Sequence, residues 1–438
     1  MDRREFIKSA GIGAAAISAA ACAPQSVKHA SAKSTHKGDP TGTMKQNYPG
    51  VGLLGYGCMR WKMIKDADGK NIIDQDDVNR LVDYAIAHGV NYFDSAPVYL
   101  KGQSEEATAK ALLRHPREDY LIATKCSNFG MSSFQSGVDM YHQSLQYYQT
   151  DHIDYYLLHS ISGEKAFNTR FLDNGLVDYF ASERDKGHIR NLGFSFHGDK
   201  AGFDYLLSFH EKYHWDFVQI QMNYVDWIDG ADYLYEELDK REIPVVIMEP
   251  LLGGSLSKVP ASIVDEFKAR RPEDSVASWA FRFVGSYPRV LTVLSGMTYM
   301  SHLKDNLFTY LDFDPCTDEE IGFLKEMAVK IKNFPLIGCT GCNYCMPCPY
   351  GIDIPGIFAF YNTNINEDTY VLNKEQKDYA KARRKYLLQY DNAIETVRQA
   401  DHCINCRQCE SKCPQHLRIP SELQRIDKYI ESLKQETI

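Results

Sequence analysis

The stretch VNYFDSAPVYLKGQSEE, residues 90–106, opens on an apolar run that stops at an acid and closes on an acidic helix start. Residues 91–94 read as a short strand and 105–113 as an amphipathic helix with apolar residues three and four apart. The same unit recurs along the chain. Segments 52–56, 121–125, 155–158, 191–195, 217–221, 244–248 and 291–294 read as further strands, with helical stretches such as 77–88 between them. Eight strand–helix repeats between about residues 50 and 310 match the size of an α/β protein of the (β/α)8 TIM-barrel class. A doubly wound sheet rarely needs eight units.

In such a barrel, catalytic groups sit just past the C-terminal ends of the strands. Asp94 ends the second strand and Tyr99 follows in its loop, Lys125 stands at the mouth of the third, and His159 at the mouth of the fourth. Each alone has an ordinary explanation. The chain has 28 tyrosines, so a loop Tyr is more often packing, and a strand-end Asp is commonly a helix cap. A lone Lys is usually a solvated charge, and a His after apolar residues a satisfied core group. Delivered to one rim, the four form an acid–base set. A phenol with a pKa near 10 is a poor donor at neutral pH, and an ammonium held by a carboxylate is expected to bring that pKa down. A neutral imidazole beside it would orient a carbonyl oxygen, which suits hydride addition to a carbonyl with protonation of the new alkoxide.

FDSAPVY, the strand-end Lys125 and the strand-end His159 resemble the aldo/keto reductase superfamily. So do LGYGCMRW at the first strand, GQSEE, GFSFH at 193–197, QMNY at 221–224 and EPLLGG at 249–254. The resemblance implies a barrel that binds NADP(H), or less often NAD(H), across its C-terminal mouth. It implies that Asp94, Tyr99, Lys125 and His159 form a catalytic tetrad with Tyr99 as acid/base. It also implies that Ser160, Gln221, Gly253 and Gly254 contact nicotinamide and phosphates, and that Asn306 binds adenine. Two places depart from the family pattern. Met248 stands where an aromatic ring usually stacks on nicotinamide. Gly296 and His302 stand where basic residues usually grip the 2′-phosphate, with Lys304 as the substitute.

Beyond the barrel lie two dense cysteine runs, CTGCNYCMPCPYG at 339–351 and CINCRQCESKCP at 403–414. Cys403, Cys406, Cys409 and Cys413 before Pro414 have the bacterial ferredoxin spacing, in which the fourth cysteine serves the other cluster. By that crossed rule Cys339, Cys342, Cys345 and Cys413 hold one [4Fe-4S] cluster, and Cys403, Cys406, Cys409 and Cys348 the other. Zinc ribbons instead separate their CxxC knuckles widely, and disulfides between such close cysteines would be strained. The segment between the runs has helical periodicity over 356–400, so the module resembles an α-helical ferredoxin-like two-cluster domain, joined to the barrel by an amphipathic helix at 318–332.

The start, MDRREFIKSAGIGAAAISAAACAP, has the layout of a twin-arginine export signal at Arg3 and Arg4, with cleavage expected after Ala32 and Cys22 as a candidate lipid anchor. This places the protein in the periplasm or as a membrane-anchored lipoprotein. The expected layout is signal 1–32, linker 33–46, barrel 47–315, linking helix 316–335 and iron–sulfur domain 336–438. A net charge of -9 argues against nucleic acid as a partner, and no run is long and apolar enough to span a membrane. The expected function is reduction of a small-molecule carbonyl by a nicotinamide cofactor, with a redox protein as candidate partner. The alternative is an iron–sulfur electron-transfer protein whose barrel is a docking scaffold.

Overall fold

The computed structural model describes residues 33–129 and 133–437. The export signal expected from Arg3 and Arg4, and Cys22 with it, lies outside the described residues. Among these, eight parallel strands close into a barrel in chain order. They are β1 Leu54–Gly57, β2 Tyr92–Asp94, β3 Leu121–Cys126, β4 Ile153–Ile161, β5 Ile189–Phe196, β6 Phe217–Gln221, β7 Val245–Met248 and β8 Val290–Ser295. Closure is by β1, which pairs with β2 through Tyr56 and Phe93 and with β8 through Leu54 and Val293.

Alternation along the strands builds two cores, as a closed barrel requires. Tyr92, Tyr155, Leu157, Phe217 and Val246 belong to one buried cluster. Their chain neighbours Phe93, Tyr156, Leu158, Val218 and Ile247 belong to the other, which the surrounding helices cover. The strand at β4 is longer than the 155–158 read from sequence. It runs on through polar His159 and Ser160, because its register with β5 shifts between Leu158 and Ile161.

The helix Asp318–Lys332 begins in a capping box between Thr317 and Glu320 and buries Phe323, Leu324, Met327, Ala328 and Ile331. Burial works to raise the Glu320 carboxyl, but hydrogen bonds from Arg282 and Arg271 outweigh it and bring the pKa to about 2. This fixes the linking helix to the barrel.

The C-terminal region has its own core, in which Ile357, Phe358, Tyr386, Tyr390, Leu423 and Ile426 meet. Its main helices are Ile354–Asn366, Tyr379–Ala393 and Ile419–Lys434. The helical reading of 356–400 was too broad. Residues 374–378 are turns, since KEQKD offers no apolar side chain to bury, and Ile394 leaves the helix with extended backbone. No helix among the described residues is long and apolar enough to cross a membrane.

Candidate active site

The ends of β2, β3 and β4 bring four polar side chains together at one rim. Lys125 Nζ, buried, donates to Asp94 Oδ1 at 2.5 Å and to the Ser95 carbonyl at 2.8 Å. The Tyr99 ring lies 5.0 Å from Lys125 Nζ and edge-on to His159 at 5.7 Å. His159 Nδ1 is 2.5 Å from Ser127 Oγ. Left-handed backbone in residues other than glycine gathers at this mouth: Leu100 and Lys101 after Tyr99, Ser160 after His159, Glu249 and Leu252 after β7. Such conformations cost energy and concentrate where function constrains the chain.

The electrostatics differ from the sequence expectation at Tyr99. Burial pushes its phenol well above 10, and the Asp94 carboxylate adds to the rise. The Lys125 ammonium, matched by Asp94, does not offset that rise. Burial also raises Asp94, against the pull of Lys125. His159 is held well below 6.5 by burial, with Lys125 and Arg170 adding to the effect. Its imidazole is therefore neutral.

From these groups a cavity of about 960 Å³ runs along the mouth. Met248, Gly253, Gly254 and Asn306 line it, the last held by Ser295 Oγ at 2.9 Å. Ser160 and Gln221 do not line it. The Ser160 amide donates to Ser195 Oγ at 2.7 Å, and it is Ser195 that faces the cavity. Gln221 Nε2 donates to Asp226 at 2.9 Å and pairs with Gln415. The residue two positions back on the same face of β6, Gln219, lines the cavity instead. Gln219 Nε2 meets Met248 Sδ at 3.4 Å, and its Oε1 is buried without a partner. Strand periodicity selects the face but not the rung. Lys304 is ion-paired to Asp39. Lys33 and Lys258 converge on His302 instead, adding to the lowering of its pKa by burial. Neither lysine carried a signal in the sequence. The cavity is thus lined by acid–base groups, by basic side chains and by one orphaned amide oxygen.

Residues 53–328 match the aldo/keto reductase family. The chain belongs to that family. Residues 335–417 match a 4Fe-4S dicluster domain. An uncharacterized oxidoreductase of Bacillus subtilis is 23% identical over 261 residues, which span 52% of this chain and 80% of that protein. Among solved structures, the holo form of a Bacillus halodurans aldo-keto reductase has a TM-score of 0.51 at 22% identity, covering 66% of this chain and 96% of the other. A Klebsiella pneumoniae aldo-keto reductase in complex with NADPH has a TM-score of 0.53 at 21% identity, covering 66% and 95%. At these identities the structures establish the shared barrel fold.

In this aldo/keto reductase, the opposite wall of the cavity comes from the 4Fe-4S dicluster domain. Cys339, Thr340, Gly341, Cys342 and Tyr344 line it from above. Tyr344 lies 6.3 Å from Phe129, whose ring is 5.1 Å from His159. Burial raises the Tyr344 phenol, and Cys342, Asp94 and Glu249 push it further. The contact with the barrel is close: a Cβ on Gly253, at φ +68°, would stand 2.3 Å from Thr340 Cα. Tyr344 and Thr340 escaped the sequence reading because the cysteines around them account for the motif on their own.

The eight cysteines in the two runs carry free thiols. After burial, Cys339 feels Cys342 and Cys413, and Cys345 feels Cys342, Cys339, Cys413 and Cys409. Cys409 in turn feels Cys403, Cys406 and Cys348. Cys413 of the second run thus acts on the first run and Cys348 of the first on the second, while Cys409 also acts on Cys345. Among the described residues no three His, Cys, Asp or Glu side chains converge closely enough to share one ion, so these are groupings of neighbouring thiols, not closed coordination shells. Burial and mutual repulsion push Cys339 up to about 11 and Cys345 up to about 12, a cost that cationic iron would relieve. The donor set fits iron–sulfur clusters.

Proposed function

We propose that this protein reduces the carbonyl of an aldehyde, ketone or sugar with NADP(H), and oxidises the corresponding alcohol in reverse. The observation that carries the reading is the meeting of Tyr99, His159 and the Lys125–Asp94 pair at one end of a cavity shaped for a dinucleotide. Lys33 and Lys258 at its far end support NADP(H) over NAD(H), because they offer cations to a 2′-phosphate. Gln219, Met248, Gly253, Gly254 and Asn306 would hold the cofactor, which when bound supplies the hydride.

The chain's own groups supply the proton. With Ser127 Oγ as the donor in its contact with Nδ1, the His159 proton stands on Nε2, where it can hold a carbonyl oxygen. Tyr99, kept neutral by burial, donates its phenolic proton to the alkoxide as that forms. Lys125, 5.0 Å from the Tyr99 ring, stabilises the phenolate left behind. Tyr99→Phe should lower carbonyl reduction by about 10²–10⁴-fold while nucleotide affinity barely changes. A Phe variant with wild-type turnover would sink the reading.

Two [4Fe-4S] clusters belong to the proposal, one on Cys339, Cys342, Cys345 and Cys413, the other on Cys403, Cys406, Cys409 and Cys348. Anaerobic iron and sulfide analysis checks the count. Clusters assembled before export also fit the twin-arginine route that Arg3 and Arg4 propose, with a periplasmic or lipid-anchored destination. A second reading, electron transfer to a redox protein, is favoured by the second thiol set. Its Cys406 is exposed, beside Ile404 at 59% exposure. Rapid mixing of NADPH with the anaerobic protein separates the two: cluster reduction as fast as turnover, with no added flavoprotein, makes the clusters electron acceptors.

A further inference from the structure

The iron–sulfur domain is clamped over the barrel mouth by polar contacts on several sides. Arg60 Nη2 donates to the Thr340 carbonyl at 2.6 Å, and Gln221 and Gln415 exchange amide hydrogen bonds of 3.1 and 2.9 Å. His416 Nε2 meets the His197 carbonyl at 3.1 Å, and Asn366 Nδ2 donates to the Lys258 carbonyl. Beneath these clamps, Asn366 Oδ1 has no hydrogen-bond partner, and the Thr340 hydroxyl meets no nitrogen or oxygen, only the neighbouring Cys342 thiol. Both residues line the cavity, at 3% and 7% exposure. On the barrel wall, Gln219 Oε1 and Asp94 Oδ2 on cavity-lining residues also lack hydrogen-bond partners. Buried polar atoms without partners are rare, and their gathering on the two walls of one cavity marks a polar occupant.

We infer that Thr340 and Asn366 complete the dinucleotide site from the iron–sulfur domain, which acts as a fixed roof and keeps the nucleotide bound from one turnover to the next. This rests on the oxidoreductase reading above. Asn366 Oδ1 only accepts, so it requires a hydroxyl or amine from the occupant, while the Thr340 hydroxyl can donate or accept. Ribose hydroxyls and phosphate oxygens offer both. The geometry agrees. Thr340 presses on Gly253, and Asn366 holds the carbonyl of Lys258, so the two roof residues stand over the stretch of barrel loop that would carry the phosphates. Departure of the nucleotide requires the clamps to open.

The test uses the full chain with clusters loaded, purified anaerobically, charged with NADPH and desalted. Displacement by excess NADP⁺, followed by nicotinamide fluorescence, gives the release rate. Wild type should retain the nucleotide through desalting. Asn366→Leu and Thr340→Val should each release it about tenfold faster, with iron content and cluster absorbance unchanged, and Thr340→Ser should keep the wild-type rate. Burial pushes the Cys342 thiol up and the nearby Thr340 hydroxyl pulls against it, so the cluster readings are a necessary control. Variants that keep their clusters yet release at the wild-type rate overturn the roof role and leave the oxidoreductase reading intact. Wild-type release within one turnover overturns it as well, whatever the variants do. Wild type that binds no nicotinamide nucleotide at all removes the oxidoreductase reading and the roof together.

Discussion

On the barrel side of the cavity, Asp94, Lys125 and Gln219 stand on strands whose ladders fix them whether or not anything is bound. On the other side, Thr340 and Tyr344 stand on a loop between cysteines, with no strand or helix beneath them. One wall is held by backbone hydrogen bonds and the other by whatever the thiols hold. The difference teaches that the two walls should fail independently. Damage to the barrel should remove chemistry or stability, and damage to the cysteine loop should release the ligand.

The largest effect is expected on the barrel side. Lys125→Met leaves the Asp94 carboxylate buried without its partner, which should cost about 3–5 kcal/mol and lower the denaturation midpoint followed by circular dichroism. A midpoint within error of wild type would mean that the pair does not hold this wall.

Acid should act on the same wall. Burial holds His159 well below 6.5, and burial with His416 lowers His197 to about 4. Both imidazoles take up protons more readily in the unfolded chain, so their stabilisation is complete above pH 6.5 and is lost as pH falls below it, for His197 down to about 4. The slope is at most about 1.4 kcal/mol per pH unit for each histidine. Thermal melts across that range check it, and His197→Asn should flatten the curve.

On the roof side, Gly253→Ala adds a Cβ into the Thr340 backbone at a left-handed φ. It should cost about 1–3 kcal/mol and speed nucleotide release while leaving the Tyr99 chemistry in place. The smallest effect belongs to Gln415→Ala, which breaks the amide pair with Gln221. A loss of about 1 kcal/mol or less, seen as slightly faster release at unchanged turnover per bound nucleotide, keeps the two walls separate. A large fall in turnover would join them.

The same contrast governs what was legible in the sequence. The barrel showed itself because strands and helices repeat with their own periods, and because Asp94, Lys125 and His159 close strands that end at one rim. The linking helix was readable for the same reason, from apolar spacing over Asp318–Lys332. Gln221 was read where Gln219 lines the cavity, since both share a face and only the closed barrel decides which rung meets it. Lys33 and Lys258 lie far apart in the chain and converge only through folding. The raised phenol of Tyr99 was hidden because the pattern reveals a neighbouring charge but not the depth of burial that outweighs it. Thr340, Tyr344 and Asn366 were hidden most completely, because their place over the barrel depends on how one domain docks on another.

The central claim is that one cavity is built by two domains, with the cysteine loop directly above the nucleotide. Titration of the cluster-loaded full chain with NADPH under anaerobic conditions, read by nicotinamide fluorescence, tests it most directly. An iron–sulfur cluster absorbs where reduced nicotinamide emits, so a nucleotide beneath Cys339 and Cys342 should bind at equimolar ratio with its emission quenched. Binding with bright emission, or no binding, would contradict a cavity shared by the barrel and the iron–sulfur domain.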